Sequence, residues 1–159
     1  MKKITMVFAM FFIAFMASCS GSSGPVAAVE SLQEAACSGN AEEGMKYIDT
    51  GKFIDRMFEL MMENPAFANN PAAKQMLEQR KPQMKEQFEA EMRTTFTNSK
   101  DGPDCDSAVE LVSEEGDVAK VSIKTAGDGK TQTVELNKGE DGQWRVVFFD
   151  EIAEQIRNQ

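Results

Sequence analysis

The chain has no histidine. With it go the commonest metal ligand and the one side chain whose unperturbed titration falls near neutral pH. A zinc site built from the three cysteines alone would be short of ligands, so no metal or other cofactor is expected. Positive charge is also scarce: 17 Lys+Arg stand against 26 Asp+Glu, a formal charge of −9. There is no basic block outside Lys2-Lys3. Nucleic-acid binding rests on Lys and Arg neutralising phosphates, so that partner class is disfavoured. No Gly-rich phosphate loop, nucleophile elbow or metal-ligand cluster is present, nor any repeat at solenoid period. The apolar run from Ile4 to Ala17 falls short of the ~20 residues a membrane-spanning helix needs.

What stands at the amino terminus is an address. Lys2 and Lys3, the apolar run and the small residues behind it have the three-part layout of a secretory signal. The run ends in Met16-Ala17-Ser18-Cys19, which resembles the lipobox of bacterial lipoproteins, with Met16 where that family most often has Leu. The resemblance implies thioether diacylation of Cys19, cleavage after Ser18 and acylation of the new amino group. With Ser20 following, it implies transfer to the outer membrane in a Gram-negative cell, facing the periplasm. Two or more acyl chains hold a protein durably on a membrane where one does not, so the expectation is an anchored protein, not a spanning one. The alternative is an ordinary secreted protein cut near Ser18 or Ser20. Loss of residues 1–18 leaves 141 residues and deepens the charge to −11. That length suits one domain. Residues 19–24 form a Gly/Ser-rich tether, and residues 25–159 the domain.

Of the three cysteines, Cys19 is assigned to lipid, which leaves Cys37 and Cys105 to pair in an oxidising compartment. The chain-entropy estimate for so long a loop is about 4 kcal/mol. Two separate buried thiols are the alternative.

Helical patterning fills the first part of the domain. Pro25 opens a helix with Val26, Val29, Leu32, Gln33 and Ala36 at helical spacing, stopped by Ser38-Gly39-Asn40. Asn40 caps a second helix over Ala41–Asp49, with Met45 and Ile48 inward. After Thr50-Gly51, a third runs from Lys52 to Glu63. Asn64-Pro65 and Asn69-Asn70-Pro71 punctuate, and a fourth extends from Pro71 to Phe96 with Leu77, Met84, Phe88, Met92 and Phe96 on one face. Pro82 predicts a kink or break near Arg80. Beyond the Lys100–Asp104 loop the period becomes two. Val109 and Leu111; Ala119, Val121 and Ile123; Val134 and Leu136; and Trp144, Val146 and Phe148 read as the inward faces of four strands. Glu115-Gly116-Asp117, Asp128-Gly129 and Glu140-Asp141-Gly142 are tight-turn signals. An antiparallel meander follows, with a short terminal helix or frayed tail at Ile152–Arg157.

Helices first and a curled antiparallel sheet second predict an α+β domain with the helices on one sheet face. The opening helix with Gly39-Asn40 before the second, and the closing Gly142-Gln143-Trp144-Arg145-Val146, resemble the cystatin-like cone fold of the nuclear-transport-factor-like superfamily over most of residues 25–150. Small lipoproteins of that superfamily are the nearest likeness. The superfamily holds ketosteroid isomerases and dehydratases beside ligand-binding and structural modules, so function must be argued from side chains.

Proton-transfer members use acid or histidine bases with tyrosine or acid donors inside the cone. Here the one set of that kind is Tyr47 with Asp49 or Asp55, and the competing reading is a half-buried tyrosine and two solvated caps. Methionine invites a different idea. Met57, Met61, Met62, Met76, Met84 and Met92, with Phe58, Phe67, Phe88 and Phe96, could line an adaptable apolar groove, form the ordinary helix-to-sheet core, or hold Cu(I). The pocket reading names Met57, Phe58, Met61, Phe88, Met92 and Trp144. Lys85, Glu86, Glu89, Glu91 and Arg93 read as a solvated helix face. The expectation is a lipid-anchored, non-catalytic binding or scaffolding module for an apolar ligand, or for a protein segment in envelope assembly, with pairing of two copies through the sheet as a further option. An isomerase-like or dehydratase-like enzyme working in the cone is the alternative.

Overall fold

Capping chemistry sets the helix boundaries. The computed structural model describes residues 24–63, 69–98 and 105–157; the signal-like segment, Cys19, the tether up to residue 23, Asn64-Pro65, Phe67 and the Lys100–Asp104 loop lie outside the described residues. Helix α1 (Pro25–Cys37) has proline in its first turn, where a missing N–H costs no helical bond. It ends on Gly39 at φ 68°, with the Asn40 N–H returning to the Ala35 carbonyl at 2.8 Å. The Asn40 side chain then accepts from the Glu43 N–H at 3.2 Å to cap α2. Helix α2 is only Ala41–Gly44; a 3₁₀ turn, Met45–Tyr47, follows, so the longer helix expected to Asp49 is not formed. Ile48 leaves it as extended chain, because the Asp49 N–H is bound 2.9 Å from the Val146 carbonyl and Ile48 bridges to that strand in parallel.

Asp49, not Gly51, starts α3 (Thr50–Glu63), accepting from the Lys52 N–H at 3.0 Å. Asn70 caps α4 (Pro71–Thr97) through the Ala73 N–H at 3.1 Å. That helix runs unbroken through Pro82, so of the kink or break expected there the break does not occur. Pro82 is exposed, so the carbonyl it deprives of a partner can be met by water.

Strands β1 (Ala108–Glu115), β2 (Val118–Lys124), β3 (Thr131–Lys138) and β4 (Trp144–Phe149) pair in sequence order, all antiparallel. Helix α5 (Asp150–Arg157) closes the described chain. The fold is α+β, helices followed by a four-stranded antiparallel meander. The β1–β2 connection is the two-residue Gly116-Asp117, with Gly116 at φ 62° and no positive φ at Asp117, the pattern of a type II′ turn that suits strand twist.

The core face of the sheet holds Ala119, Val121, Val134, Leu136, Trp144 and Val146 under Ala28 and Val29 of α1. Two inward assignments need correcting. Leu111 pairs with Val121 but stays 49 % exposed, because α1 does not cover that part of the outer strand. Phe148 pairs with Glu135, not on the Leu136 face, because the register shifts between Glu135 and Leu136 and one β4 residue bulges. Phe148 therefore packs with Leu60 and Ala153 in a second cluster, and helices cover both faces of the sheet at its β4 end instead of one. There Phe53 stacks on Phe88 with ring centroids 4.3 Å apart and lies 5.2 Å from Phe148.

Cys37 and Cys105 form a disulfide, with Cα atoms 5.8 Å apart across a separation of 68 residues. Among the described residues no helix is long and apolar enough to cross a membrane.

Candidate functional site

One stripe of α1 and the last turns of α4 do not quite meet over the sheet. Val29, Leu32, Gln33 and Ala36 follow one another at helical spacing along α1. Met92, Thr95 and Phe96 face them from α4, and Ile123, Gln132 and Phe149 form the floor. Ser107 and Thr125 complete the wall, enclosing a cleft of about 250 Å³ with a largely apolar lining.

The walls are braced. Gln33 donates through Nε2 to the Cys105 carbonyl at 3.0 Å and the Ser107 carbonyl at 3.3 Å. The disulfide fixes the same two segments one residue beyond Ala36. Phe96 is 4 % exposed and sits against Gly44, where a β-carbon would come within 2.6 Å of the ring. Gln132 donates from Nε2 to Glu151 at 3.3 Å, and the Thr95 hydroxyl to the Glu91 carbonyl at 3.0 Å.

The six residues of the pocket reading do not gather in one place. Phe58, with Met57 and Phe88 against it, belongs to the aromatic cluster under α3 and α4. Trp144 lies in the α1–sheet core, and Met61 is half-buried on α3. Met92 alone of the six lines the cleft. Gln33 stands in the helical-spacing pattern of α1, whereas Thr95, Ser107, Thr125 and Gln132 carried no signal, being neutral residues near strand and helix ends. Among the described residues no group of three or more Cys, Asp or Glu side chains could hold a metal.

Tyr47, Asp49 and Asp55 each have separate employment. Tyr47 packs half-buried against the α1–sheet core. Asp49 caps α3, and Asp55 is ion-paired with Lys81 of α4, whose ammonium pKa that hydrogen bond raises. None of the three lines the apolar cleft. A second groove of about 440 Å³ borders Gly24, Lys46, Tyr47 and Gln143, but it is open and mixed in polarity. No buried side-chain nitrogen or oxygen among the described residues lacks a hydrogen-bond partner, so no unmet polar group points to chemistry inside the core.

What the apolar cleft can do is hold something. Its polar side chains are the hydroxyls of Thr95, Ser107 and Thr125 and the amides of Gln33 and Gln132, and no Asp, Glu or Lys lines it to act on them as a general base. No protein-family model, no curated protein and no solved structure matches the chain.

Proposed function

We propose that this protein is a lipid-anchored module of the cell envelope, held on the membrane by acyl chains on Cys19, that binds an apolar ligand or segment and does not catalyse. On this reading the helices and sheet form a cystatin-like cone whose opening is the cleft between α1, the end of α4 and the sheet. The cleft is the observation that carries it: a braced apolar recess of about 250 Å³ beside a core whose buried side-chain polar atoms, among the described residues, all have partners. The Cys37–Cys105 disulfide supports the compartment, since such bridges persist in oxidising surroundings and not in a reducing cytosol. Sequence patterning at Met16–Cys19 supports the anchor. Tyr47, Asp49 and Asp55 stand apart from the cleft, so no observation favours an enzyme reading.

The test is saturable binding of 1-octanol followed by amide NMR, with shifts expected at Ala36, Thr95 and Ile123. Thr95 is exposed, so Thr95→Trp can fill the recess without rebuilding the core. That variant should keep its spectrum and lose the binding. Shifts that never saturate, or that persist in Thr95→Trp, would sink the proposal.

A further inference from the structure

The lining of the cleft is selective in charge. The chain as a whole is 27 % charged residues, yet none of the twelve side chains around this recess is Asp, Glu, Lys or Arg. Carboxylates stand behind the lining at two places. Gln132 is bonded to Glu151, and Gln33 and Ser107 also border the neighbouring groove that holds Glu30 and Glu34. Lys120 and Lys124 alternate with Val121 and Ile123 along β2 and so belong to the opposite sheet face, Lys120 paired with Asp150; Lys130, whose carbonyl accepts from the Thr125 N–H, has its ammonium paired with Asp128. An anion entering the recess would lose water, meet no cation in the lining and approach Glu151 behind Gln132, all of which oppose it. A neutral hydroxyl or amide would lose less and could meet the hydroxyls of Ser107 and Thr125.

Size narrows the class further. An apolar cavity of about 150 Å³ accepts benzene, and drug-sized ligands occupy about 300 Å³ or more. A recess of about 250 Å³ lies between.

Resting on the binding reading above, we propose that the cleft selects a small uncharged apolar molecule, on the order of ten non-hydrogen atoms, and rejects the carboxylate of the same tail. The experiment compares 1-octanol with octanoate on the purified full chain at about pH 7.5, where the acid is ionised, reading amide shifts at Ala36, Thr95 and Ile123. Octanol should saturate, and octanoate should bind roughly tenfold or more weakly. Thr125→Lys, placing a cation on the wall, should raise octanoate binding roughly tenfold or more relative to octanol binding by the same variant. Equal or tighter binding of octanoate to the unaltered chain overturns the charge selection and leaves the cleft as a binding site. Binding of neither overturns both. If Thr125→Lys folds and still rejects octanoate, charge is not what excludes it and the inference falls.

Discussion

Arg145 donates Nη1 to Asp141 Oδ1 at 3.0 Å and Nη2 to the other carboxylate oxygen, while the Gln143 N–H reaches Oδ1 at 3.1 Å. Its Nε meanwhile donates to the Lys46 carbonyl at 3.2 Å, so this one guanidinium ties the β3–β4 connection to the 3₁₀ turn. Arg145 first, and the backbone N–H second, hold the Asp141 carboxyl down to about 2. The folded value lies below the unfolded one, so the contribution to stability is complete above about pH 4 and disappears as pH falls through the folded value. A carbon-detected NMR titration should give Asp141 a midpoint near 2, and Arg145→Gln should move it up toward the ordinary carboxylate range. An unchanged midpoint in that variant would remove Arg145 as the cause. None of this could be read from Asp141-Gly142 in the sequence, which marks a turn and says nothing of what the carboxylate meets.

Between elements, α2 fits closely against the end of α4. A methyl on Gly44 would meet Phe96 Cε1 and Cζ at 2.6 Å, and the ring is buried. Overpacking of this kind costs about 1–3 kcal/mol, against about 1 kcal/mol of helix propensity gained. Gly44→Ala is therefore expected to lower the urea midpoint, with a net loss of about 1 kcal/mol. A raised midpoint would show that Phe96 yields freely. At this scale the sequence was most legible. Asn40 and Asn70 cap, Pro25 and Pro71 open helices, and the Gly-containing turns separate four strands, because these signals are local. Contacts distant along the chain decided the rest. The Val146 carbonyl pulls Ile48 out of its helix, and a bulge turns Phe148 to the other face. Helical spacing of Met and Phe likewise could not say which stripe closes on its neighbour and which leaves a gap, so Met92 was the only cleft residue among the six chosen.

For the molecule as a whole, anchor and bridge can be weighed together. Protein extracted from its native membranes should have the intact mass of residues 19–159 plus acyl chains, rising by about two hydrogens on reduction. A mass that retains residues 1–18 without acyl groups would overturn the anchor, and one unchanged by reductant the bridge. The outer strand carries a consequence of another kind. Among the described residues β1 is hydrogen-bonded on one side only, and its pairing with β2 is interrupted between Leu111 and Ser113, with Val112 58 % exposed at the interruption. Glu110, Glu114 and Glu115 stud the same strand. An open strand edge is a template for any other extended chain; here an incoming copy would find its alternation broken midway and would bring glutamates against glutamates. Such an edge opposes zipping of crowded molecules edge to edge into a growing fibre, the hazard that an exposed leucine and valine on an outer hairpin would otherwise bring.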